Sequence, residues 1–101
     1  MAITNATLTL NPANIYVSSG NTVVSTMYFC NYGASAANLT VWALPNTITA
    51  QSEVHMIYRE VQIASADTFV IDMEKLVLQN GEQIKANAGG SVSATINYVG
   101  I

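Results

Sequence analysis

A chain of 101 residues has room for one domain built on one hydrophobic core. Half of it is hydrophobic and only 9 % is charged, against roughly 25 % in ordinary soluble domains, and a net charge of −3 with three cations excludes nucleic-acid binding through a basic patch. Every charged side chain lies between Glu53 and Lys85, so both ends of the chain are expected to be buried, covered by a partner or exposed as neutral polar surface.

Strand-type alternation runs from end to end. Ile3, Asn5, Thr7 and Thr9 alternate with Thr4, Ala6, Leu8 and Leu10 until Asn11-Pro12 stops the pattern. Ile15-Tyr16-Val17 is a second strand, ended by Ser18-Ser19-Gly20-Asn21. Thr22 to Cys30 is rich in β-branched and aromatic residues and closes at Asn31-Tyr32-Gly33. Leu39 to Leu44 is a fourth strand, broken by Pro45-Asn46. Glu53 to Ile63 is less regular and fits one kinked strand or two short ones. Asp67 to Asp72 and Lys75 to Leu78 follow, and Asn80-Gly81 predicts a tight type I′ hairpin turn into Gln83 to Ala86. Gly89-Gly90 turns once more into Ser91 to Val99, with Val92, Ala94, Ile96 and Tyr98 on one face. This is the pattern of a single-domain (1–101) antiparallel β-sandwich or jelly-roll-like barrel of about eight short strands.

Two strands carry apolar residues on both faces. In the third, alternation sets Val23, Met27 and Phe29 against Val24, Tyr28 and Cys30; in the fourth, Trp42 and Leu44 oppose Leu39, Val41 and Ala43. A sheet with one wet face alternates more cleanly, so the outer set needs cover from a loop of the same chain or from another subunit. Together with the missing charge, this points to an interface. Its candidate residues are Tyr28, Tyr32, Trp42 and Leu44, with Ile3, Leu8 and Leu10 of the uncharged N-terminal segment as an arm.

Candidate chemistry is sparse. His55 is the only histidine, so a zinc site would need carboxylates and a distant cysteine, and no metal is expected. Cys30 has no adjacent cation or histidine and reads as a small core residue. Asp67, Asp72, Glu74 and Glu82 form the acidic cluster; paired carboxylates serve glycosidases, but solvated turns are the simpler account. Arg59, Glu60, Lys75 and Lys85 suit surface or inter-subunit ion pairs. Tyr16, Tyr28, Tyr32, Tyr58 and Tyr98 with Trp42 could stack on sugars, or serve as ordinary sheet residues. Asn5-Ala6-Thr7 and Asn38-Leu39-Thr40 match the glycosylation pattern, but chance matches are expected in a chain this rich in Asn and Thr, and the N-terminal residues do not read as a secretion signal. The longest apolar stretch, around Met27 to Cys30, is far shorter than the ~20 residues of a membrane helix.

From Ile57-Tyr58 through Asp67-Thr68-Phe69, Leu76-Val77-Leu78, Asn80-Gly81-Glu82 and Ser91-Val92-Ser93 to Tyr98, the second half resembles small virion structural proteins of tailed bacteriophages. Thr22-Val23-Val24, Met27-Tyr28-Phe29-Cys30-Asn31 and Leu39-Thr40-Val41-Trp42 resemble the paired strands those proteins carry after a short N-terminal region. The resemblance implies a capsid decoration or cement protein, or a neck, tail or fibre-associated component. It implies no catalytic residues and no cofactor. The partners expected are further copies of the chain, as a dimer or trimer, and a major capsid protein or another virion protein, in a particle assembled in the host cytoplasm. A carbohydrate- or receptor-binding β-module is the alternative.

Overall fold

The computed structural model describes residues 2–48, 50–72 and 75–101. The strands are β1 (Ala2–Thr7), β2 (Ala13–Val17), β3 (Thr22–Asn31), β4 (Ala37–Leu44), β5 (Met56–Ile63), β6 (Thr68–Ile71), β7 (Leu76–Leu78), β8 (Gln83–Ala88) and β9 (Val92–Gly100), with one 3-10 turn at Glu53–His55 among the described residues. The first antiparallel sheet has the order β1-β9-β3-β6, with β7 extending the β6 edge along β3; the second has the order β2-β8-β4-β5.

Pairing follows a single rule. Ala2 lies opposite Tyr98, Ala13 opposite Ala86, Thr22 opposite Leu78, Met27 opposite Ile71, Ala37 opposite Ile63, and Trp42 opposite Met56. Each strand of the first half therefore pairs with the strand equally far from the other end. The chain is one long antiparallel hairpin with its tip at residues 45–55, rolled so that successive portions alternate between the two sheets. This is jelly-roll topology, eight-stranded if β6 and β7 count as one interrupted strand.

The core lies between the sheets and is built from cross-strand rows. On the first sheet, Thr4, Ile96, Met27 and Ile71 form one inward row, and Ala6, Ala94, Phe29 and Phe69 the next. The second sheet answers with Ile84, Ala86, Val41, Leu39 and Ala88, all buried. Phe29 is fully buried, and burial of such a side chain is worth roughly 1.5–3 kcal/mol. The Tyr58 and Phe69 rings meet edge-on at 5.3 Å and tie β5 to β6 across the seam between the sheets.

Two local expectations change and a third is narrowed to one of its alternatives. Between Val24 and Thr26 the register of β3 against β9 shifts by one residue, a bulge at Ser25. The bulge reverses the phase of the strand, so Val24, Met27 and Phe29 point inward together, whereas Val23 turns outward with Tyr28. Asn80-Gly81 does not close a hairpin, because β7 and β8 belong to different sheets. Gly81 alone has positive φ there, +84°, and Glu82 N donates to Gln79 O; this is the pattern of a type II turn. The irregular stretch from Glu53 resolves into the 3-10 turn followed by one bulged strand, β5.

Polar groups close the two ends of the sandwich. At one end Ser18 Oγ and Thr22 Oγ1 share a 2.7 Å hydrogen bond, and Tyr16 OH donates to Thr22 Oγ1. At the other, Asn31 is completely buried; its Nδ2 donates to Ser35 O and Ile63 O, both at 2.9 Å, and its Oδ1 accepts from Gly33 N. Among the described residues no helix is long and apolar enough to cross a membrane.

Candidate interaction surface

The outer face of the first sheet follows from the same registers. One row runs Asn5, Thr95, Tyr28, Val70 across four strands, and the next runs Thr7, Ser93, Cys30, Thr68. Ile3, Asn97 and Thr26 form a third row, and Val99, Val23 and Val77 an apolar one at the far end. None of these side chains is charged. Ile3, Tyr28, Val70 and Val77 are exposed, with Ile3 and Val77 near two-thirds of full exposure (65 % and 64 %).

The described charged residues lie on the second sheet, in turns or at the β6–β7 edge of this face. Arg59 and Glu60 are exposed on β5, the edge of the second sheet, and Lys85 is half-buried on β8. Asp72 and Lys75 sit where β6 gives way to β7, and Lys75 Nζ donates to Ser25 O (2.9 Å) and Asp72 O (2.6 Å). Acidic groups serve turns: Asp67 Oδ1 accepts from Thr68 N at 2.8 Å, and Glu82 Oε1 from Gln79 N at 2.7 Å. Glu74 of the expected acidic cluster lies outside the described residues. His55 Nδ1 accepts from Ser52 N at 3.0 Å and completes a capping box at the 3-10 turn. Among the described residues no group of three or more His, Cys, Asp or Glu side chains is placed to hold a metal.

The seven interface candidates separate into two sets. Tyr28 and Ile3 are on the neutral outer face, Tyr32 is exposed at the end of the sandwich beyond β3, and Leu10 is exposed in the β1–β2 connection. Trp42, Leu44 and Leu8 are buried, at 6 %, 2 % and 4 % exposure. Leu8 belongs to the main core, where its backbone N donates to Val92 O. Trp42 and Leu44 lie on the outer side of the second sheet and outside the main core cluster. Their cover is the hairpin tip, whose 3-10 turn contacts β4 and whose Ile48 O accepts from Gln83 Nε2 at 3.1 Å. The chain itself thus supplies the cover that these two residues need. Cys30 is not in the core but half-exposed on the outer face beside Ser93.

Sequence reading missed Val23, Val70, Val77 and Val99, because apolar residues one position from core residues carry no facing information until register is known. Two of the concavities among the described residues border this sheet. Asn5, Thr7, Ser93 and Thr95 line a neutral polar groove along β1 and β9, beside Tyr28. Met27, Ile57, Tyr58, Ile71 and Leu76 line an apolar cavity of about 170 Å³ at the seam between β5 and the β6–β7 break.

Fold and surface together define an all-β jelly-roll sandwich whose first sheet, among the described residues, presents an outer face uncharged across β1, β9 and β3, with Asp72 and Lys75 at its β6–β7 edge. No protein-family model, curated protein or solved structure matches the chain.

Proposed function

We propose that this protein is a structural component of a tailed-phage virion, of the capsid decoration or cement kind, and that it acts by association and not by catalysis. The observation that carries the reading is the outer face of the first sheet, uncharged across β1, β9 and β3, where Ile3, Tyr28, Val70 and Val77 are exposed and Asp72 and Lys75 lie at the β6–β7 edge. A net-negative chain meets a neutral surface across the β1, β9 and β3 part of this face without burying an unpaired ion. Jelly rolls recur in capsid domains, which supports the assignment at the level of fold analogy. Many weak contacts of this kind, repeated over a lattice, would hold neighbouring subunits together.

Mass spectrometry and immunolabelled electron microscopy of purified particles test the proposal. The protein is expected on the particle surface, and Val70→Lys or Tyr28→Lys is expected to remove it from particles while the isolated chain stays folded. Absence of the wild-type protein from particles overturns the reading. The groove of Asn5, Thr7, Ser93 and Thr95 beside Tyr28 favours a second reading, a carbohydrate-binding module, since hydroxyl and amide groups flanking an aromatic ring suit a sugar. Glycan-array binding lost on Tyr28→Ala would select it.

A further inference from the structure

The two sheets present four edges, and three carry a recognised guard against strand addition. The β6–β7 edge is interrupted, and in the gap Lys75 Nζ occupies the Ser25 carbonyl. The β5 edge carries exposed Arg59 and Glu60, and it bulges at Glu60, whose φ is +50°. The β2 edge follows Pro12 and shifts register between Asn14 and Tyr16. The fourth edge, β1, has none of these. Its six residues, Ala-Ile-Thr-Asn-Ala-Thr, pair with β9 in unbroken register and contain no charge, proline, glycine or bulge. Among the described residues only β9 pairs with it, so its other side presents an open backbone edge.

We propose that β1 is a homodimerisation edge, joined antiparallel to β1 of a second copy across a two-fold axis so that the two first sheets become one. A second copy is the occupant that the charge pattern selects. The chain is net negative, and β1 with its flanking β9 face is where two copies approach without opposing like charges. The alternation of side chains restricts the register. Ile3, Asn5 and Thr7 face outward, while Ala2, Thr4 and Ala6 face the core side. The axis must then pass through a residue, Thr4 or Asn5, because an axis between two residues would set outward side chains against inward ones. Centred on Thr4, Ile3 meets Asn5 of the second copy; centred on Asn5, the two Asn5 side chains meet. This deepens the association reading above but uses the edge, whereas that reading uses the face.

The test is analytical ultracentrifugation with hydrogen exchange on the full chain up to ~1 mM, the weak end of specific association. The expected result is a concentration-dependent monomer–dimer shift accompanied by protection of alternate β1 amides, with β3 and β9 protection unchanged. The double variant Ile3→Lys/Asn5→Lys sets lysines against lysines in either register and is expected to weaken dimerisation about tenfold or more. Ile3→Asp/Asn5→Asp is expected to do the same, and mixing the two variants is expected to restore a heterodimer. Val70→Lys, at the opposite edge of the face, is expected to leave the dimer intact. A chain that stays monomeric throughout, a dimer indifferent to the lysine pair, or a dimer without β1 protection overturns the proposal. A dimer lost on Val70→Lys overturns it in favour of face-to-face pairing. Neither result bears on whether the protein is found on particles, so the two readings fail separately.

Discussion

Val24 and Met27, three residues apart in β3, both point into the core because Ser25 between them is bulged out of register with β9. Removing that residue restores strict alternation with the facing unchanged, since Val24, Thr26 and Met27 already pair with Tyr98, Asn97 and Ile96 in succession. Deletion of Ser25 is therefore expected to keep Val24, Met27 and Phe29 in the core and to preserve a cooperative urea transition, at a cost of no more than about 3 kcal/mol. Ser25→Ala keeps the bulge and loses only the 3.3 Å bond from Ser25 Oγ to Asn97 O, so it should cost no more than about 1 kcal/mol. Loss of the urea transition on deletion, with Ser25→Ala harmless, would show that Ser25 is not a single extra residue in the strand.

Asn31 is the buried polar tie at one end of the sandwich, joining β3 to the loop before β4 and to the end of β5. Asn31→Leu keeps the branched shape and the number of heavy atoms, with bulkier methyl groups, but strands two carbonyls and an amide. The expected loss is about 2–4 kcal/mol, since each unsatisfied buried group costs roughly 1–3 kcal/mol and some regain water. Chemical denaturation measures it, with an unchanged m-value indicating that the native fold is kept.

Ala66 occupies the left-handed region, with φ +62°, in the turn from β5 to β6. Ala66→Gly is expected to stabilise by about 0.5–1 kcal/mol, because relief of the Cβ clash outweighs the extra chain entropy of glycine. Gly81→Ala should do the reverse. Its φ is +84°, and a new Cβ would meet Asn46 Cβ at 3.0 Å. Calorimetry should raise Tm for the first variant and lower it for the second.

Trp42, the only tryptophan, is 6 % exposed, and its indole Nε1 has no hydrogen-bond partner. Its fluorescence is expected to be blue-shifted and protected from iodide in the monomer, because the hairpin tip covers it. Trp42→Ala should destabilise by about 3–5 kcal/mol and leave any dimer's dissociation constant unchanged once folding is corrected for. Strong quenching of the wild-type monomer would mean that the tip does not cover the ring.

Much of the fold was legible along the chain, for identifiable reasons. Alternation located the strands because β-branched and aromatic residues recur at period two between Gly, Pro and Asn stops, as in Val92 to Tyr98, whose inward set is the one read from sequence. Alternation failed where a bulge reset the phase: Val23 was grouped with Met27, but the Ser25 bulge puts it outside. The Asn80-Gly81 hairpin failed because a dipeptide specifies a turn without specifying which sheet receives the next strand.

For the candidate site, the sequence by itself determined that charge is confined to Glu53–Lys85 and that neutral strands must be covered or displayed. Tyr28 and Ile3 were found that way. Only the tertiary structure decided which neutral residues are displayed. Trp42 and Leu44 look as exposed as Tyr28 to any local pattern, and what separates them is the hairpin tip folded over one sheet while the other sheet's outer face stays open. The same holds for the β1 edge. Composition showed a segment without guards, but only strand order showed that this segment is an edge. Periodicity reports the side on which a residue lies relative to its neighbours; cover and edge are long-range properties, fixed by strands that the rolled hairpin brings together from opposite ends of the chain.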